Sequence, residues 1–206
     1  MFQNEKYTSE VLQDAVEAIG SLPGVGKRSA LRLALHLLRQ PSENIHRFAS
    51  AVDRLADDIR YCKTCMMVSD GDECAICADR TRDHSLICVV EDVRDVMSIE
   101  ATGQYNGVYH VLGGIISPIN GIGPSDLTIR SLTDRVKAAE GAVEVILALP
   151  GDVEGETTAF YIYRQIAGAG VTVSTLARGL GFGDDLEYAD SLTLGRSIAG
   201  RQPFKP

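Results

Sequence analysis

Apolar residues recur every three to four positions along the first sixty residues, and this spacing predicts three amphipathic helices. The first covers residues 9–19 with Ser9 as its cap, and the second runs from Lys27 to about Arg39. The third begins at Ser42, which the pattern predicts as its cap. Its apolar stripe is expected to lie in the core and consists of Ile45, Phe48, Ala49, Val52, Leu55, Ala56 and Ile59.

The pattern changes after residue 85, where short apolar runs alternate with helical stretches. Strands are predicted at residues 86–90, 109–112, 143–149 and 172–174, with helices up to about 101 and at 127–139, 154–167 and 192–199. Ser125 is predicted to cap the helix 127–139. The continuous run Leu86-Ile87-Cys88-Val89-Val90 is typical of a parallel strand buried on both faces, and Cys88 is expected to be a core residue. The alternation predicts an α/β domain with a mainly parallel sheet, which follows an α-helical N-terminal part.

Length and composition limit the classes of protein to which the chain can belong. The 206 residues suffice for one medium or two small domains, and 45% of them are hydrophobic. No run of 18 apolar residues is present, so no membrane span is expected. The first residues lack the order of a signal peptide, which favours the cytoplasm.

The formal net charge of −8 argues against a surface that binds nucleic acid all over. The charge is unevenly distributed, however. Between Gly20 and Ser42 the chain has four basic residues and no acidic one: Lys27, Arg28, Arg32 and Arg39. If the protein binds DNA, this stretch is the expected place.

Four cysteines within sixteen residues are the sharpest chemical signal in the chain. They form two Cys-x-x-Cys motifs, Cys62-Lys63-Thr64-Cys65 and Cys74-Ala75-Ile76-Cys77. Two such turns complete a tetrahedral shell for Zn²⁺ and leave no position for a catalytic water, which predicts one structural zinc ion per chain. Two disulfides or a redox dithiol are the alternatives, but disulfides are typical of small secreted domains. Because the cysteines lie between the helical part and the α/β part, the zinc is interpreted as a joint.

The segment Leu22-Pro23-Gly24-Val25-Gly26-Lys27-Arg28 joins the first two predicted helices. Gly24 and Gly26 permit a tight hairpin that exposes backbone N–H groups at the start of the second helix, where Lys27 and Arg28 add positive charge. This is the pattern of a helix-hairpin-helix, which binds the DNA backbone without reading sequence. The alternative is an ordinary turn between two core helices with solvated basic residues.

Carboxylates follow two of the predicted strands. Glu91 comes after the first strand, and Asp152, Glu154 and Glu156 come after the third. Because ligands of parallel sheets bind beyond the carboxyl ends of the strands, these acids raise the hypothesis of a Mg²⁺ site and phosphoryl-transfer chemistry.

Residues 79–83 are charged and are expected to be a solvated bridge between the cysteine motifs and the first strand.

The loop Asp152-Val153-Glu154-Gly155-Glu156-Thr157-Thr158-Ala159 resembles the acidic motif of Toprim domains, found in topoisomerases and primases. Their metal site uses a Glu after the first strand, which Glu91 matches, and an Asp-x-Asp pair after the third. Here the leading position of that pair is Pro150, and only Asp152 matches the second. No tyrosine has the context of a topoisomerase nucleophile. The resemblance therefore implies an incomplete metal site and no catalysis.

The order of the motifs resembles the RecR family of bacterial recombination mediators along nearly the whole chain. The matching segments are Leu22-Pro23-Gly24-Val25-Gly26, Tyr109-His110-Val111-Leu112-Gly113-Gly114, Glu154-Gly155-Glu156 and Leu186-Glu187-Tyr188-Ala189-Asp190. Family members usually have Asn-Pro-Ser/Thr where this chain has Pro150-Gly151-Asp152. The resemblance implies four regions: a helix-hairpin-helix domain (1–58), a four-cysteine zinc finger (59–84), a Toprim domain (85–180) and a C-terminal segment (181–206).

The resemblance also implies a function and partners. It predicts a non-catalytic DNA-repair protein that works with RecO and/or RecF to load recombinase at single-stranded gaps, and that assembles as a homodimer or homotetramer ring around DNA. The hairpin residues Gly24, Gly26, Lys27 and Arg28 would contact phosphates, and Glu91, Asp152, Glu154 and Glu156 would face a basic partner. The alternatives are a Mg²⁺-dependent DNA-cleaving or strand-passing enzyme and a zinc-containing interaction scaffold.

Overall fold

The computed structural model describes residues 9–168, 170–177, 179–181, 183, 185–201 and 203. The chain divides into an N-terminal unit that ends at Asp58 and a C-terminal unit that begins at Ile59.

Three helices form the N-terminal unit: α1 (Glu10–Gly20), α2 (Lys27–Leu38) and α3 (Ser42–Asp57). Ser9 caps α1, since its Oγ accepts a hydrogen bond from the backbone N–H of Leu12 at 3.3 Å. The buried core is small and lies between α1 and α2, where Val16 packs with Ala30 and Ala34. The predicted helices are therefore present, but the unit buries few large side chains.

The apolar stripe of α3 is where the prediction was wrong. No residue of this helix is buried, and the side chains of Phe48, Val52 and Leu55 are 54%, 50% and 59% exposed. The helical spacing predicts that one face avoids water, but it does not say which element covers that face. Ser42 is also not the cap, because the helix begins directly after Pro41 and no side chain caps it.

The C-terminal unit begins with three short elements that the sequence pattern did not predict. Strand β1 (Arg60–Tyr61) pairs antiparallel with β2 (Val68–Ser69), and a single helical turn, α4 (Ala75–Ala78), follows. Two-residue strands are too short to show a hydrophobic period. They are ordered instead by the cysteine turns that lie between and beside them.

A four-stranded parallel sheet forms the body of the C-terminal unit. Its strands are β3 (Asp83–Val90), β4 (Gly107–Val111), β5 (Val143–Ala148) and β6 (Val171–Thr175), in the order β4-β3-β5-β6. The helices are α5 (Val93–Ala101), α6 (Ile129–Ala138), α7 (Val153–Ile166) and α8 (Ser191–Ala199). The predicted α/β class with a parallel sheet is confirmed. Among the helices of the described residues, none combines the length and apolarity needed to cross a membrane.

The central strand β3 is buried on both faces, as its continuous apolar run predicted. Ile87 and Val89 belong to the larger of the two apolar clusters, whereas Cys88 and Val90 belong to the other. Successive side chains of a strand point to opposite faces, so β3 supplies both clusters. Cys88 is only 2% exposed and is a core residue, as expected.

The start of α6 differs from the prediction. Residues Pro124–Asp126 form a separate 3₁₀ turn, in which the Asp126 carboxylate accepts a hydrogen bond from the N–H of Gly123 at 2.8 Å. The helix begins only at Ile129, and Ser125 does not cap it. Proline at the first position of the short turn, together with the extended backbone at Leu127, separates the two elements.

Candidate metal centre and nucleic-acid interface

The four cysteines of the two Cys-x-x-Cys motifs converge on one point. Their sulfur atoms all lie within 4.8 Å of one another, and all four residues are buried. Cys62 and Cys65 lie in the turn after β1, Cys74 precedes α4, and Cys77 lies within α4. The Sγ atoms of Cys65 and Cys74 are 3.5 Å apart, and all five cysteines are free thiols, so the disulfide alternative is wrong.

Backbone hydrogen bonds shape the first motif. The N–H of Cys62 donates to the carbonyl of Met67 at 2.8 Å, and the N–H of Met66 donates back to the carbonyl of Cys62 at 2.9 Å. Met66 has φ +62°, a left-handed conformation that an unbranched residue adopts only under constraint. These two backbone hydrogen bonds fix the turn that carries Cys62 and Cys65.

The thiols of the cluster differ in how readily they ionise. Hydrogen bonding from Cys77 lowers the pKa of Cys65 to about 5, which makes it a thiolate at neutral pH. Burial raises the pKa of Cys74, and hydrogen bonding with Cys65 raises the pKa of Cys77. A bound dication would favour the thiolate form of all four, and a set of four converging sulfur donors fits tetrahedral Zn²⁺. The cluster therefore fits one structural zinc ion per chain.

The first cysteine motif is attached to the parallel sheet. The N–H of Val111 on β4 donates to the carbonyl of Cys65 at 2.8 Å. Arg135 on α6 donates to the carbonyls of Tyr109 at 2.7 Å and Thr64 at 3.5 Å. No sequence signal pointed to Arg135, because a basic residue in the last turn of a helix is ordinarily solvated. The metal centre is thus part of the C-terminal unit.

His110 on β4 is fully buried beside this attachment. Its Nε2 lies 3.0 Å from Thr128 Oγ1 and 3.1 Å from the Thr128 carbonyl, which can only accept, so Nε2 carries the proton. Nδ1 has no hydrogen-bond partner among the described residues. Burial and the nearby Arg135 lower the pKa of His110 to about 4. The imidazole is therefore neutral at physiological pH.

A half-buried ion pair lies at the start of the sheet. Arg82 donates to both carboxylate oxygens of Glu100, and the hydroxyl of Tyr109 donates to the same carboxylate at 2.6 Å. The Arg82 side chain is 16% exposed. The expectation that residues 79–83 are solvated is therefore wrong for Arg82, which joins the segment directly before β3 to Glu100 on α5.

The predicted hairpin joins α1 to α2. Gly24 has φ +79°, which a side chain would strain, and the N–H of Val25 donates to the carbonyl of Leu22 at 3.1 Å. Gly26 is the N-cap of α2, so no side chain caps the first-turn amides of this helix, and its first turn has no acidic residue. Lys27 and Arg28 are exposed beside these amides. The arrangement offers oriented N–H groups and positive charge to an anion.

The basic character continues along α2. An open groove of the N-terminal unit is lined by Arg28, Leu31, Arg32, Leu35, His36 and Arg39. Within the described ranges, no ion pair joins a carboxylate to Lys27 or to any of these arginines. Positive charge on this helix is therefore available to an external anion.

The acidic loop, residues 150–156, lies where the paired strands β3 and β5 end. Asp152 is the N-cap of α7 and accepts a hydrogen bond from the N–H of Gly155 at 2.8 Å. A Cβ on Gly155 would lie 2.2 Å from the carbonyl oxygen of Pro150, so only glycine fits there. Burial and the neighbouring carboxylates of Asp95 and Asp92, with Asp152, raise the pKa of Glu91. The edge of the sheet thus carries concentrated negative charge.

The acids proposed to face a partner are also engaged within the chain. Ser117 donates its hydroxyl hydrogen to Glu154 at 2.6 Å. Arg196 on α8 pairs with Glu156 at 2.8 Å and donates to the Gly151 carbonyl at 2.9 Å. Glu154 and Glu156 therefore hold the loop in place, and no pattern in the sequence indicated either contact.

Comparisons with known proteins agree with the order of these features. Family models match as the RecR helix-hairpin-helix over residues 12–56, the RecR zinc finger domain of the four-cysteine type over 59–79, the Toprim domain over 85–177 and the RecR C-terminal region over 179–202.

Similar proteins cover nearly the whole chain. Recombination protein RecR of Porphyromonas gingivalis is 56% identical over 200 residues, which cover 97% of this chain and 96% of that protein. Recombination protein RecR of Flavobacterium johnsoniae is 54% identical over 200 residues, 97% of each chain. That of Bacteroides fragilis is 53% identical over 202 residues, 98% of each chain.

Proposed function

Since the chain belongs to the RecR family of recombination proteins, we propose that it is a DNA-repair mediator that binds DNA without sequence preference and catalyses no reaction itself. Acting with RecO and/or RecF, it loads recombinase at single-stranded gaps. The observation that carries the proposal is the hairpin before α2, where uncapped amides and exposed basic side chains meet at a helix N-terminus.

The hairpin supplies the contacts that a DNA phosphate requires. Gly24 and Gly26 let the backbone approach closely, and Lys27 and Arg28 neutralise charge. Such contacts position a protein on the duplex but carry no base information. The groove along α2 extends the positive surface through Arg32 and Arg39. Binding should therefore be independent of sequence and should weaken steeply with salt.

The double charge reversal Lys27→Glu/Arg28→Glu tests this assignment. We expect affinity for a fluorescent duplex to fall by at least roughly tenfold near 0.1 M salt, because two phosphate contacts are lost and two repulsions added. The slope of log affinity against log salt should fall by about two. Anisotropy titrations at several salt concentrations measure both.

Arg130→Glu is the matched control, because Arg130 is 95% exposed on α6 and lies outside the N-terminal unit. Its affinity should stay near that of the wild type. Unchanged binding by the double variant, or an equal loss in the control, would contradict DNA binding through the hairpin.

The absence of catalysis rests on the chemistry of the acidic loop. The position that would lead an Asp-x-Asp metal pair is Pro150, which has no carboxylate, and Asp152 caps α7. Supercoiled plasmid incubated with the protein and Mg²⁺ should be retarded in a gel and should return intact after deproteinisation. Nicked or relaxed plasmid that is lost with Asp152→Ala would instead assign Toprim-type chemistry.

A homodimer or homotetramer ring in the cytoplasm completes the proposal. The exposed apolar face of α3, with Phe48, Val52 and Leu55, is the kind of surface that a second copy covers. In this arrangement residues 1–58 bind DNA, 59–84 hold zinc, 85–180 receive partners and 181–206 form the C-terminal segment. The basic surface would attract DNA, and the acidic surface would repel it, so DNA would bind only at the basic surface of the assembly.

The acidic edge of the sheet is the proposed partner surface. Glu91, Asp152, Glu154 and Glu156 lie at or beside the ends of β3 and β5. A basic protein such as RecO or RecF would be attracted there, whereas DNA would be repelled.

A further inference from the structure

The long loop between β4 and α6 presents an isoleucine to solvent. Ile119 lies in the 3₁₀ turn Pro118–Asn120 and is 93% exposed, the largest exposure among the large hydrophobic residues of the described chain. Tight turns ordinarily carry polar residues or glycine at their tips. The contacts of the fold therefore give no reason for a branched apolar side chain at this position.

The turn that holds Ile119 is firmly ordered. Ser117 and Ile122 exchange two backbone hydrogen bonds of 3.0 and 2.9 Å, and the Asn120 side chain donates to Ser117 Oγ at 2.8 Å. Gly121 closes the turn with φ +73°. An apolar side chain on a pre-ordered turn loses little conformational entropy when it is buried by a partner, which makes it suited to be an anchor.

The same turn is joined to the acidic loop. Ser117 Oγ donates to Glu154 at 2.6 Å, and the N–H of Ile116 donates to Thr158 Oγ1 on α7 at 2.9 Å. These bonds place the turn against the start of α7, whose first residue, Val153, is itself 81% exposed. Two exposed apolar side chains thus belong to two segments that are hydrogen-bonded to each other.

Negative charge lies beside these two side chains. Asp152 directly precedes Val153, and Glu91 directly follows β3, the strand that pairs with β5. Burial raises the pKa of Glu91, and the neighbouring carboxylates of Asp95, Asp92 and Asp152 raise it further. A symmetric contact of this surface with its own copy would bring like charges together, and DNA would be repelled.

We propose that Ile119 and Val153 are the apolar anchors of a docking surface for a basic protein partner. The two side chains would insert into an apolar pocket of that partner, which is surrounded by Lys or Arg. The acids Glu91 and Asp152 guide the basic rim and set orientation, whereas the two aliphatic side chains supply most of the affinity. The inference rests on the partner role given under Proposed function, and it assigns residues to that role that the acids alone would not reveal.

The test compares binding of purified RecO and RecF from the same genome to wild type, Ile119→Ser and Ile119→Ser/Val153→Ser by calorimetry or biolayer interferometry. We expect the single variant to weaken the binding of the partner by roughly tenfold or more, the scale of burying one branched aliphatic side chain, and the double variant to weaken it further. Met97→Ser is the matched control, because Met97 is also exposed (58%) but lies on α5. Its affinity should stay within about twofold of wild type.

Charge variants that keep the local structure test the contribution of Glu91 and Asp152, the acids proposed to attract the partner's basic residues. Asp152→Asn retains a side-chain acceptor for the cap of α7, and Glu91→Gln is isosteric. Each should weaken binding by a few-fold, with a larger loss at low salt than at high salt. Unchanged melting temperatures and zinc content would show that all variants are folded.

The outcomes separate this inference from the proposed function. Wild type that binds RecO or RecF while Ile119→Ser binds equally well overturns the inference and leaves the mediator role intact. Wild type that binds neither protein overturns the partner assignment and the inference with it. Loss of self-association in Ile119→Ser, measured by sedimentation with unchanged partner binding, would assign the surface to a second copy and also overturn the inference.

Discussion

The two units of the chain use their apolar residues in opposite ways. In the C-terminal unit the sheet has two buried clusters, and residues such as Leu132, Val145 and Ile162 are completely shielded from water. In the N-terminal unit the buried core consists of Val16, Ala30 and Ala34, while Phe48, Val52 and Leu55 of α3 are exposed. The C-terminal unit is stabilised by its own packing, whereas the N-terminal unit leaves apolar and basic side chains exposed.

Removing zinc should have the largest effect and should be confined to one unit. The apparent binding free energy of a structural zinc site is on the order of 10 kcal/mol, and its thiolates repel one another when the cation leaves. Chelation, or Cys74→Ser, should therefore release the backbone of residues 62–77. Hydrogen exchange with mass spectrometry should show fast exchange there, while the amides of α1 and α2 keep their protection. Purified protein without zinc, or equal loss of protection in α1, would contradict this division.

Truncating a core residue should cost much more in the C-terminal unit than in the N-terminal one. Leu132 on α6 is fully buried, so Leu132→Ala should lower the free energy of unfolding by about 2–5 kcal/mol. Phe48→Ala removes a larger side chain that is 54% exposed and should cost well under that amount in dilute solution. Urea unfolding followed by circular dichroism measures both.

The contrast between the two variants should depend on protein concentration. If a second copy covers α3, the cost of Phe48→Ala should increase with concentration, whereas the cost of Leu132→Ala should not. Sedimentation of the Phe48→Ala variant should then show a smaller assembly than wild type. If Phe48→Ala lowers the free energy of unfolding as much as Leu132→Ala at every protein concentration, the apolar face of α3 is part of a core within the chain and the contrast between the two units is wrong.

The buried His110 should make the stability of the C-terminal unit depend on pH in the acidic range. Its pKa is lowered from 6.5 to about 4 by burial, so the folded state holds the imidazole neutral while the unfolded chain binds a proton. The lowered pKa contributes up to about 3 kcal/mol to the free energy of unfolding. This contribution is fully present above pH 6.5 and is lost as the pH falls towards 4. His110→Gln, which keeps a donor for Thr128, should show a flatter decline in unfolding free energy over this window. Parallel curves for the two proteins would mean that other groups set the acid sensitivity.

Several features could be read directly from residue order because they are local. The hairpin follows from glycine and proline at fixed offsets between two periodic helices, and Gly24 has the positive φ that this predicts. The zinc ligands follow from two Cys-x-x-Cys turns, since each turn alone aims two sulfurs at one point. The buried strand β3 follows from five consecutive apolar residues. In each case the residues that create the signal also form the structure.

Other features depend on contacts between distant positions. Arg135 reaches the first cysteine motif across 71 positions of sequence, and Ser117 reaches Glu154 across 37. Nothing near these residues in sequence indicates their partners. The helix α3 is the converse case: its period correctly predicts an apolar face, but no local pattern says whether that face is covered within the chain.

The sequence by itself therefore determined the helix-hairpin-helix, the cysteine ligands and the class of sheet, because propensity, turn chemistry and periodicity act over a few residues. The order of its motifs also resembled the family to which the chain belongs. Only the tertiary structure decided that the described chain leaves α3 uncovered, that His110 is buried with a bare Nδ1, and that the turn of Ile119 is bound to the acidic loop. These outcomes depend on which surfaces meet when the chain is packed, and packing joins residues that are far apart in the sequence.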